Sequence, residues 1–65
     1  MYPNVRAEFA RLGLTLEDVS KALGVSIGTV SIKLRKGGFT LDEAKAIKSL
    51  IGTDMSIEEL FEEAG

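Results

Sequence analysis

The stretch Leu14-Thr15-Leu16-Glu17-Asp18-Val19-Ser20-Lys21-Ala22-Leu23-Gly24-Val25-Ser26-Ile27-Gly28-Thr29-Val30-Ser31 decides how this chain folds. Thr15 is an N-cap residue followed three positions on by an acid, Asp18, which marks a helix start. Val19, Ala22 and Leu23 carry the apolar face of that helix, and Gly24 closes it. Ser26 opens the next helix, on which Val30 and Leu34 share a face, and Gly37-Gly38 ends it. Two short helices joined by a turn containing Gly cross at a steep angle, the geometry of a helix-turn-helix. The residue types suit that unit: Ser20 is small enough to let the helices approach, Gly24 makes the turn, and Val25 and Val30 fill the wedge between them.

The same punctuation continues on both sides. Upstream, Pro3 fits the first turn of a helix, Val5, Phe9 and Leu12 recur on one stripe, and Gly13 provides the stop. Downstream, Thr40-Leu41-Asp42-Glu43 is a capping box, followed by Leu41, Ala44, Ile47, Leu50 and Ile51 at helical spacing and then Gly52. Ser56-Ile57-Glu58-Glu59 reads as a further capping box, opening a short last helix with Leu60 and Phe61. Met55, Ile57, Leu60 and Phe61 either close the core over the first helix or offer apolar surface to a second copy. No segment alternates with the period of a strand. The expectation is an all-α, five-helix single domain over 1–65, with the helix-turn-helix over about 15–35.

Composition narrows the chemistry. The chain has 65 residues and no Cys or His, so neither disulfide nor thiolate is available, and the commonest metal ligand and general base are missing. Serine nucleophiles have no His base, adjacent acids such as Asp42 and Glu43 point to different helix faces, and no strand precedes a Gly-rich loop. We therefore expect no enzyme, metal, cofactor or small-molecule substrate. Glu58, Glu59, Glu62 and Glu63 lack the loop of a calcium site and read as a solvated face. No apolar run is long enough for a membrane span, and no signal peptide is visible at Met1-Tyr2-Pro3-Asn4-Val5-Arg6, so a soluble cytoplasmic protein is expected. The net charge of −2 hides an asymmetry: residues 1–36 carry +3 and residues 37–65 carry −5. Lys33, Arg35 and Lys36 crowd together, giving a cationic end to the third helix that suits a polyanion.

The run from Leu14 to Ser31 resembles the helix-turn-helix of the XRE family, the phage Cro and lambda-type repressors. The likeness extends to the first helix and to Phe39-Thr40-Leu41-Asp42-Glu43-Ala44, and so covers nearly the whole chain. It implies a repressor-like domain that binds double-stranded DNA as a transcriptional regulator of bacterial or phage type, acting at the nucleoid. The third helix would enter the major groove and the second would cross the backbone. By that resemblance Ser26, Ile27, Gly28, Ser31 and Ile32 fall at base-contacting positions. Thr15, Leu16, Thr29 and Arg35 fall at or beside phosphate-contacting positions, with Lys33 and Lys36 near enough to join them. Members of the family often dimerise on palindromic sites. Independently of family, free N–H groups at the starts of the second and third helices suit phosphates.

The chain departs from the family pattern on the reading face. Leu16 stands where Gln is usual and Ser20 where Ala is usual, and Ile27, Gly28 and Ile32 replace polar or basic residues. Gln and Arg make the bidentate contacts to adenine and guanine. Two readings of the altered face stay open. Ile27 and Ile32 meet thymine methyl groups, with Ser26 and Ser31 bonding nearby and Gly28 allowing close approach. Alternatively, Leu16, Ile27 and Ile32 form a protein-interaction or homodimer surface. So regular a sequence with so unusual a face also suits an engineered variant of a natural scaffold. Ile27, near Val30 and Leu34 in helical register, is as readily peripheral core as contact, whereas Ile32 points away from that stripe. Lys33, Arg35 and Lys36 also suit an ordinary solvated helix end, and Thr15 and Ser26 are caps before they are contacts.

Overall fold

Hydroxyl side chains set four of the five helix starts. The computed structural model describes residues 2–63, with α1 at Pro3–Leu12, α2 at Leu16–Leu23, α3 at Ile27–Lys36, α4 at Leu41–Ile51 and α5 at Ile57–Leu60. No strand occurs among the described residues. Thr15, Ser26, Thr40 and Ser56 each accept a hydrogen bond from the backbone N–H three residues ahead, satisfying a donor that the helix itself leaves unpaired. At Thr15 and Thr40 the box is complete, with Asp18 and Glu43 accepting from the cap residue's own N–H. Ser56 forms only half a box: the Glu59 carboxylate accepts from its hydroxyl, at 3.3 Å, rather than from its N–H. Helix α1 starts instead on Tyr2, which has left-handed backbone angles, and on Pro3, whose missing N–H is harmless there.

One core unites the helices. Val5, Val19, Val30, Ile47 and Leu60, one from each helix, are fully buried. Helix α2 packs against α3 and α4, while α1 packs against α4 and α5. Leu60 therefore closes the core, and it is not available as surface for a second copy. Three sequence expectations about burial fail. Leu12 is 40% exposed, because the α1 stripe runs past the core at its last turn. Leu41 is 62% exposed at the first turn of α4, and Ala22 is exposed on α2. Ser20 is buried in that region, with its hydroxyl donating to the Glu17 carbonyl at 2.8 Å.

Side chains distant in sequence lock the ends. Tyr2, Phe39 and Phe61 form a triangle with ring centroids 5.5 Å apart on each side and tilted or edge-on rings. It ties the segment before α1, the α3–α4 loop and the residue after α5 into one cluster. Arg6 donates to the Leu34 carbonyl at 3.1 Å, satisfying an otherwise unpaired acceptor in the last turn of α3. Asn4 donates to the Glu59 carbonyl of α5 at 2.7 Å, an acceptor it shares with backbone N–H groups that follow the helix.

Candidate nucleic-acid interface

Helices α2 and α3 are joined by Gly24, Val25 and Ser26. Gly24 takes the left-handed conformation at φ 71°, which a residue with a Cβ adopts only under strain. The Gly24 and Val25 N–H groups both donate to the Ser20 carbonyl, so α2 ends on one shared acceptor and the chain turns at once into α3. Val25 packs half-buried against the core and Val30 is fully buried, as a wedge between the two helices requires.

The packing of α3 fixes what it shows to solvent. Val30 and Leu34 face the core. At ~100° per residue, Gly28, Ile32, Arg35 and Lys36 then share the opposite sector of the helix. All four are exposed, Ile32 to 49%, and no part of the described chain covers them. Ile27, on the flank at the first turn, is 46% exposed and so is not core. Ser31 is half-buried. Helix α3 contains no acid, and Arg35 and Lys36 have no ion-pair partner among the described residues.

Gly28 has helical backbone angles, so conformation does not demand a glycine there. A Cβ at that position would meet only the Ser26 hydroxyl, at 3.9 Å, an ordinary contact. Nothing inside the chain requires the missing side chain.

Other expected contact residues are placed differently. Lys33 turns inward from its neighbours: its ammonium lies 2.6 Å from Glu43 Oε1 and 6.0 Å from the centre of the Phe39 ring. It therefore serves the α3–α4 junction rather than the cationic end of α3. The Lys33 ammonium and the Thr40 N–H together hold the Glu43 carboxyl below the ordinary glutamate range. At α2, both the N–H and the hydroxyl of Thr15 are engaged by Asp18, whose carboxyl is held low first by the Thr15 N–H. An ionised acid thus occupies the start of α2, and a phosphate at Thr15 would compete with it. Leu16 packs partly buried against the core, whereas Ile27 and Ile32 are exposed. Ser26 and Thr29 bond to each other at 2.9 Å, besides the cap bond from the Thr29 N–H.

Sequence reasoning missed the Lys33–Glu43 pair and the aromatic triangle. The pair carries a faint signal, opposite charges flanking a Gly-Gly loop; the triangle carries none, since its members are scattered along the chain. An open groove of about 320 Å³ is lined mainly by Tyr2, Phe39, Leu41, Ala44, Ile57 and Phe61 and by no residue of α3. No helix among the described residues is long and apolar enough to cross a membrane. The chain matches no protein-family model, no curated protein and no solved structure.

Proposed function

We propose that this protein binds double-stranded DNA sequence-specifically as a helix-turn-helix domain, with α3 in the major groove, and acts as a transcriptional regulator. The observation that carries the reading is the uncovered outer stripe of α3. It runs from Gly28 through Ile32 to Arg35 and Lys36, without an acid on the helix. A major groove about 12 Å wide admits a helix, and a cationic exit end supplies the counterion release on which affinity rests. The resemblance of residues 14–31 to XRE-family domains supports the same placement. Phosphate contact is assigned to Arg35 and Lys36, with Lys33 left to its partner Glu43.

Selection from a random-sequence duplex library tests the reading. A recovered duplex is then titrated at several salt concentrations. Arg35→Ala and Lys36→Ala should each weaken binding to all duplexes alike and lower the logarithmic salt slope by about 0.9. No enrichment of any duplex, or an affinity indifferent to salt, overturns the proposal. Salt-insensitive self-association through Ile27 and Ile32 would replace it with an interaction surface.

A further inference from the structure

We propose, resting on the DNA-binding reading, that Ile32 and Gly28 of α3 read the C5-methyl group of a pyrimidine, so that thymine and 5-methylcytosine are equivalent at that contact. Helical side chains lean towards the N-terminus, so the Ile32 side chain lies over the turn that holds Gly28. Ile32 is half-exposed, and at Gly28 there is room for a Cβ, whose nearest neighbour would be the Ser26 hydroxyl at 3.9 Å. In this proposal the Ile32 side chain and the bare Gly28 backbone serve as a shallow apolar notch on the outward stripe. The Ser26 and Thr29 hydroxyls bond to each other, Ser26 also accepting the Thr29 N–H, and Ser31, next to Ile32 in sequence, is half-buried and ~100° round the helix from it. No amide or carboxylate side chain stands on α3 to take part in bidentate reading of adenine or cytosine. The methyl groups of thymine and 5-methylcytosine occupy the same place on the major-groove edge, and uracil and plain cytosine lack them. The apolar notch has a use for the methyl and none for the base's hydrogen-bonding atoms. Binding therefore responds to cytosine methylation.

The test uses the full chain and the duplex recovered from selection, resynthesised with deoxyuridine at each thymine in turn. At one or more positions, loss of the methyl should weaken binding about fourfold, the worth of one buried methyl-sized group. Replacing that base pair by 5-methylcytosine·guanine should weaken binding less than cytosine·guanine does, by the same factor. Both methyl effects should vanish in Ile32→Ala, which empties the notch, and in Gly28→Ala, which fills it; thermal melting confirms that both variants fold. A recovered duplex indifferent to deoxyuridine throughout overturns this inference alone, as does a methyl effect unchanged in both variants. If no duplex is recovered, the DNA-binding reading falls and takes this one with it.

Discussion

Lys33 shows how one side chain changes role once its neighbours are known. In the sequence it belongs to a cationic trio with Arg35 and Lys36; in the fold its ammonium lies against Glu43 and near Phe39. The sequence signal for this is faint, because the partner arrives across a loop whose course depends on Gly37 and Gly38, both at positive φ. Ile32, by contrast, was readable from its angle to Val30 alone, and its exposure agrees. The Lys33–Glu43 pair makes stability depend on acid. Glu43 has its folded-state pKa lowered below the ordinary 4.5, so the unfolded chain binds more protons in that window. Its stabilisation is complete above pH of about 4.5 and is lost as pH falls through the lowered value. Glu43→Gln keeps a capping residue but removes the titration. Urea melts of this variant should show a flatter fall in stability on the acid side, with a residual slope from Asp18, whose pKa is lowered in the same sense. An unchanged slope would mean the pair contributes nothing.

The helices themselves were legible because their signals are local. Caps, stops and apolar spacing place all five, and the observed N-caps are the hydroxyl residues that the spacing marks for α2 to α5. Burial at helix ends was not legible. Leu12 and Leu41 fit their stripes by angle, but each lies at an end turn that projects past the core, and periodicity carries no information about where the neighbouring helix stops. The complete box at Thr40 is the strongest single local device, since it also holds the carboxylate that receives Lys33. Thr40→Ala should lower stability by about 1 kcal/mol. For a domain of this size that is a fall of roughly 4–8 °C in melting temperature. A shift under 1 °C would show that water replaces the cap without loss.

At the scale of the molecule, a body 25 × 23 × 21 Å is held by one core and an aromatic clasp. The clasp joins residue 2, the loop residue 39 and residue 61, so it resists separation of the chain's ends from its middle. Its assembly was invisible in the sequence because three-dimensional proximity, not spacing, makes it. Phe39→Ala should cost about 2–3 kcal/mol, less than a fully buried phenylalanine because the ring is partly exposed. Calorimetry gives the loss, while, on the proposed DNA-binding reading, the affinity of the folded fraction for duplex should not change, since the clasp shares no residue with the outward stripe of α3. That division has an evolutionary meaning. Val30 and Leu34 hold the helix down, and Gly28, Ile32, Arg35 and Lys36 are anchored to nothing else in the described chain. Replacements there alter stability by no more than about 1 kcal/mol. On the DNA-binding proposal, the target read by this scaffold can therefore change through single replacements on that stripe while the fold stays intact.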